Sequence, residues 1–248
     1  MKRKRELGQK IIKLVDGLPM FPHDIDGLLA AALKPSEDSA KILQLMEKEP
    51  EVREELLELA RSYFAANEVI GTTEEAAERF GVQSLVQLIG LLYARRAIQE
   101  EFASLKYLNE YFDHSESISI GCNILGEVCG ASREQVQLYT ISGLIHDIGR
   151  LAIMVVSNRT SAHVLGTLWD KMASVVYDEQ ASVGTDHCAV GMRICQKWRF
   201  SPIIQEGVLR HHSPLVDGNF SAGGAIIFLS HFLSASDPSG DIVSSLSA

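Results

Sequence analysis

The chain has 248 residues, 46% hydrophobic and 22% charged, enough apolar material for a sizeable core in one large domain or two small ones without disulfides or a structural metal. Its formal charge of −9 repels phosphate backbones and argues against broad nucleic-acid binding, so no DNA partner is expected. Apolar stretches such as 85–94 and 225–229 fall short of a bilayer span, and the basic opening at residues 2–5 lacks the apolar run of a signal peptide. The chain therefore reads as cytoplasmic, without a membrane partner.

Helical periodicity governs the pattern in chain order. After the solvated basic start, apolar residues recur at helical spacing over 40–49 (Ile42, Leu43, Leu45, Met46) and over 52–66 (Leu56, Leu57, Leu59, Ala60, Tyr63). Thr73 opens the next helix and Gly81 stops it. The helix from Ser84 carries Leu85, Val86, Leu88, Ile89, Leu91 and Leu92, so it is expected to be buried on several sides. A more charged stretch, 94–106, follows, and a division near Gln99 separates residues 1–99 from 100–236; it could lie within a helix that joins the two parts.

Further helices are expected over 113–129, 132–146, 161–171, 181–197, 202–211 and 223–235. Ser132 with Gln135 forms a capping box, and Pro202 sits in a first turn. No alternating strand pattern stands out. Residues 237–248 read as a loose C-terminal tail. Four cysteines fall as two pairs spaced by seven, Cys122/Cys129 and Cys188/Cys195; with no CxxC motif they read as buried free thiols and not as a thiolate zinc site.

Seven of the eight histidines follow residue 110. Imidazoles and carboxylates are the usual ligands of borderline divalent metals. In GLIHDIGR, Asp147 sits inside an apolar run, and a buried carboxylate must be paired, hydrogen-bonded or metal-bound. At a helix end the side chains of His146 and Asp147 can both turn toward one ion, and Gly149 suits such an end. The same dipeptide reads equally well as a hydrogen-bonded pair in the core. Glu110 and His114 share a helix face at i,i+4 spacing and are either a chelating pair or solvated. His187 lies near a helix start, as a ligand or a cap; His211 and His212 end a helix, where imidazoles also complement the helix dipole. His23 and His163 read as structural or surface residues.

The order Glu-x3-His, His-Asp-x-Gly-Arg, a lone His and then His-His resembles the HD superfamily of metal-dependent phosphohydrolases, above all the HD-GYP phosphodiesterases and the related HDOD domain. LPMFPHDIDGLL, EKEPEVREELLELARSYF and TTEEAAERFGVQSLVQLIGL resemble HDOD motifs in the same order, so the likeness runs from Leu18 to about Ala235. It implies an all-α multi-helix bundle with an HD-like C-terminal half, in a bacterial signal-transduction protein.

Carried over by position, His114, His146, Asp147, His187, His211 and His212 match metal ligands, and Glu110 matches an accessory carboxylate. Asp147 and Arg150 match the catalytic positions, with Arg150 where catalytic relatives have Lys. One or two divalent ions (iron, manganese, zinc or nickel) are implied, with a nucleotide or other phosphoester, or a signalling protein, as partner. The chain departs from the pattern at SPLVDGNFS, which replaces GYP, and in AIIFLSHFLS, where Ser230 or His231 takes the place of a terminal Asp. His231 is the candidate replacement ligand. These departures favour a regulatory module over an active phosphohydrolase.

Overall fold

The computed structural model describes residues 2–33, 50–64, 70–157 and 174–235. The helices expected over 40–49 and 161–171, His163 and the 237–248 tail lie outside the described residues. In chain order the elements are α1 (Lys2–Gly17), α2 (His23–Ala32), α3 (Pro50–Phe64), α4 (Thr73–Phe80), α5 (Val82–Glu101), α6 (Leu108–Val128) and α7 (Arg133–Ile145). There follow α8 (Ile148–Ser157), α9 (Val175–Val183), α10 (His187–Lys197), α11 (Pro202–Arg210), a hairpin of β1 (Leu215–Val216) and β2 (Asn219–Phe220), and α12 (Ala222–Ala235). The all-α expectation holds, with the hairpin the one exception among the described residues. Asp217 and Gly218 both have positive φ, the requirement of a two-residue hairpin turn. The Asp-Gly pair was readable in the sequence, but two residues per strand are too few to show alternation.

α5 is the hub of the N-terminal part. Its residues from Ser84 to Leu92 are buried on every side, against α2, α3, α4 and α7. Gln99 lies within α5, near its C-terminal end. α1 presents Ile11 and Val15, one turn apart, to α8, α9 and α10. The loop after α1 is pinned by Trp198, which stacks on Phe21 at 5.2 Å and donates its indole N–H to the Pro19 carbonyl at 3.0 Å. One apolar cluster runs from Ile11 to Val208, and a smaller one joins Ile118, Cys122, Tyr139, Ile226 and Ile227 between α6, α7 and α12.

In the C-terminal part α6 packs along α7 and α12, α11 along α7, α10 and α12, and α10 along α8. The capping box is present: Gln135 N donates to Ser132 Oγ, and Ser132 N to Gln135 Oε1. The stretch Arg133–Ser157 is long and apolar enough to cross a membrane, which the shorter apolar runs of the sequence did not suggest, but it is mostly buried inside the bundle. The helix expected over 181–197 is two helices. α9 stops at Gly184, whose φ of +88° suits glycine, and Asp186 restarts the chain by accepting from Ala189 N at 2.9 Å. The sequence carries both signals, Gly and Asp two residues apart, inside an otherwise continuous apolar pattern.

Candidate metal centre

His146 and Asp147 form a two-residue turn between α7 and α8, so both side chains leave the junction toward the same side of the bundle. Gly149 does not end a helix. It lies in the first turn of α8, where a Cβ would collide with the His187 carbonyl and sit 2.6 Å from Gly191 N. Its absent side chain is what lets α8 touch α10 and bring His187 up to Asp147.

Around the Asp147 carboxylate stand imidazoles from five places in the chain. Oδ2 lies 3.4 Å from His146 Nε2 and 3.8 Å from His114 Nε2 of α6. Oδ1 lies 3.3 Å from His187 Nε2 of α10 and 3.6 Å from His211 Nε2 at the end of α11. His231 of α12 packs against His114 and His146, with ring centroids 5.2 and 4.9 Å away, and His212 against His187 at 4.8 Å. The potential ligand atoms fall into overlapping groups, each within 4.8 Å: His114, His146 and His231; His146, Asp147 and His211; and His187, Cys188, His211 and His212.

The sequence-derived set thus converges, with one exception. Glu110 is exposed on α6, a turn closer to solvent than His114, and belongs to none of these groups. Ser230 turns away and donates to the Ile226 carbonyl, leaving His231 as the residue facing the centre. His23 is at the surface. Arg150 is buried, its Nε 2.8 Å from Asp147 Oδ1 as an ion pair.

Two residues of the centre were missed in the sequence. Glu179 of α9 accepts from the His187 backbone N–H at 2.8 Å and from its Nδ1–H at 2.6 Å. Cys188 has its Sγ 3.5 Å from His187 Nε2. Glu179 is separated from its partner by the break at Gly184. The Cys188 signal, adjacency to His187, was available but overshadowed by the missing CxxC.

Three of the imidazoles are fixed in one tautomer. Nδ1–H donates to the Gly143 carbonyl from His146 (2.8 Å), to the Val208 carbonyl from His211 (2.7 Å) and to Glu179 from His187. Their Nε2 lone pairs therefore point inward, and those of His187 and His211 face each other at 3.2 Å, where neither can donate to the other. His146 Nε2 is buried without a hydrogen bond. Protonation of the rings does not resolve the conflict. Burial, aided by neighbouring positive groups, lowers the pKa of His187 well below the usual value, that of His114 to about 4 and that of His212 to about 2.

Burial alone would raise the Asp147 pKa, but the Arg150 guanidinium beside it outweighs burial and holds the carboxyl well below its usual range, so it stays ionised. Burial pushes Glu179 up to about 7. Inward lone pairs, an ionised carboxylate and imidazoles held from behind are the donor set of a divalent cation. The residues present fit such an ion.

No curated protein matches the chain. Several solved structures share its fold. A Shewanella amazonensis protein provisionally named a phosphohydrolase is 22% identical with a TM-score of 0.67, over 91% of this chain and 80% of the other. A second protein of that organism, provisionally named a metal-dependent phosphohydrolase, is 16% identical with a TM-score of 0.59, over 97% and 86%. A Marinobacter aquaeolei protein provisionally named for signal transduction is 16% identical with a TM-score of 0.60, over 91% and 54%. At these identities the likeness is one of fold. The HDOD domain family model matches residues 18–214, and the chain belongs to the HDOD family.

Proposed function

We propose that this protein is a signal-transduction HDOD module whose C-terminal part, residues 100–236, holds one or two divalent ions (iron, manganese, zinc or nickel), and that it acts mainly as a regulator. The observation that carries the reading is the inward convergence of His146, His187 and His211 Nε2 on the ionised Asp147. Enclosure favours regulation over turnover. His146, Asp147, Arg150, His187, His211 and His231 are each at most 1% exposed. A bare ion enters through a small fluctuation; a phosphodiester needs the bundle to open. The altered segment after His212 folds as the β1–β2 hairpin and offers no counterpart of GYP.

One observation favours the alternative, a phosphohydrolase acting on a nucleotide or cyclic dinucleotide. Asp147 turns Oδ2 toward His146 and His114 and Oδ1 toward His187 and His211, the disposition of a carboxylate that bridges two ions. Bound ions would supply a nucleophilic hydroxide and neutralise phosphate charge. Arg150 would exchange its Asp147 partner for a phosphate oxygen, a geometry its planar guanidinium suits. On either reading the partner is a nucleotide or phosphoester, or a signalling protein.

The test is metal content per chain after purification without chelators, followed by a phosphodiester and phosphomonoester screen at full occupancy. One or two equivalents, lost in His146→Ala, with no hydrolysis, is the expected result. Hydrolysis abolished by Asp147→Ala would replace regulation with the phosphohydrolase reading. A metal-free protein whose melting is unaffected by added ions would remove both.

A further inference from the structure

The donor atoms on the two sides of Asp147 are not alike. The group on the Oδ2 side, His114, His146 and His231, is all nitrogen; the group on the Oδ1 side joins His187, His211 and His212 to a thiol. We propose that Cys188 is a metal ligand, making the Oδ1 side a nitrogen–sulfur subsite that selects a thiophilic, zinc-class ion over manganese or magnesium. The proposal rests on the metal-centre reading and goes beyond it by assigning a ligand and a metal preference.

The spacing supports it. Ligands bound to zinc at about 2.0–2.1 Å through nitrogen and about 2.3 Å through sulfur, at tetrahedral angles, lie about 3.3 Å apart as an N–N pair and about 3.5 Å apart as an N–S pair. His187 Nε2 lies 3.2 Å from His211 Nε2 and 3.5 Å from Cys188 Sγ. Both distances match edge lengths of such a tetrahedron, and Cys188 Sγ approaches the His211 ring to 3.9 Å, at Nδ1. Cys188 is held there by the fold. Asp186 caps α10, so His187 and Cys188 occupy its first two positions, and the thiol is buried at 4% exposure.

Among the described residues, Cys122, Cys129 and Cys195 belong to none of these groups; Cys122 lies between α6 and α12, Cys129 is at the surface and Cys195 is buried. A thiolate is a soft ligand and discriminates by metal where imidazole discriminates weakly. On loading, the metal–sulfur bond forms as the S–H bond breaks, and the proton leaves to water.

The experiment loads the full chain, carrying Cys129→Ser to remove the surface thiol, with cobalt as a spectroscopic stand-in for zinc. A sulfur-to-cobalt charge-transfer band in the near ultraviolet is expected, lost in Cys188→Ser while the visible bands of histidine-bound cobalt remain. Zinc-edge X-ray absorption of the same protein without the Cys188 substitution should show a sulfur shell at about 2.3 Å, so the result does not depend on that variant folding. Cobalt bound in full with no charge-transfer band, or zinc with nitrogen and oxygen neighbours only, overturns the Cys188 assignment and leaves the metal centre standing. No cobalt or zinc binding at all overturns both.

Discussion

Asp147 and Arg150 are a buried ion pair, and that constrains how the centre can be probed. Each is 1% exposed and they meet at 2.8 Å. Removing one partner of such a pair typically costs about 3–5 kcal/mol, whereas replacing both with apolar groups is often neutral. Asp147→Ala is therefore expected to lower stability by about 3–5 kcal/mol even without metal, and Asp147→Ala/Arg150→Met to recover most of it. Denaturant titration of the metal-free proteins measures this; a double variant as unstable as the single one would show that Arg150 is not destabilised by losing Asp147. Glu179 acts one bond further out. By accepting the His187 Nδ1–H it fixes the ring and raises its basicity, and loss of such a partner weakens metal binding about 10–100-fold. Chelator competition on Glu179→Ala should read a loss in that range, and an unchanged affinity would mean that His187 is not a ligand.

At the scale of elements, the centre depends on α8 lying against α10 at a distance that only Gly149 permits. A methyl group there meets backbone on two sides, atoms that cannot swing away as a flexible side chain would. Gly149→Ala is expected to cost about 1–3 kcal/mol and to lower metal occupancy in the same protein, because His187 is carried away from Asp147. Denaturant melts and metal content measure the two effects, and a destabilised variant with full occupancy would separate the helix contact from the site. The sequence made much of this region legible, and for a physical reason. Histidines are rare and polar against a largely apolar helical pattern, so His114, His146, His187, His211 and His212 stand out by type and order. Glu179 did not, because its role arises from the turn at Gly184 that folds α9 back on α10, and a continuous apolar pattern hid that turn. Gly149 reads in the sequence as a stop signal, since a glycine after a polar pair looks the same whether it ends a helix or admits a neighbouring one. Glu110 has i,i+4 spacing with His114 and matches an accessory carboxylate by position, but the face the two share runs from the interior out to solvent, and one turn is enough to cross that border.

For the molecule as a whole, the candidate ligands span His114 to His231 and come from stretches far apart in the chain, so the unfolded chain would offer no preformed site and an ion would bind the folded state. At a free metal concentration of 100 times Kd the gain is about 2.7 kcal/mol, which for a chain of this size corresponds to a rise in Tm of about 5–10 °C. Acid should act in the opposite direction on the metal-free protein. An unfolded histidine titrates near 6.5, while burial lowers His114 to about 4 and His212 to about 2 and depresses His187, His211 and His231 as well. Between those values the unfolded chain binds more protons, so stability falls as pH drops below 6.5. Glu179, raised from 4.5 to about 7 chiefly by burial, contributes with the opposite sign over that window, since its folded form takes up the proton first. Five histidines against one glutamate leave a net loss of stability from pH 7 to pH 5. Because one apolar cluster joins described residues from Ile11 to Val208, that loss is expected to appear as a lower Tm of a single transition, followed by circular dichroism. A Tm that rises or stays level between pH 7 and pH 5 would mean that the histidines are not buried in their neutral form, and would remove the electrostatic basis for an ion at their centre.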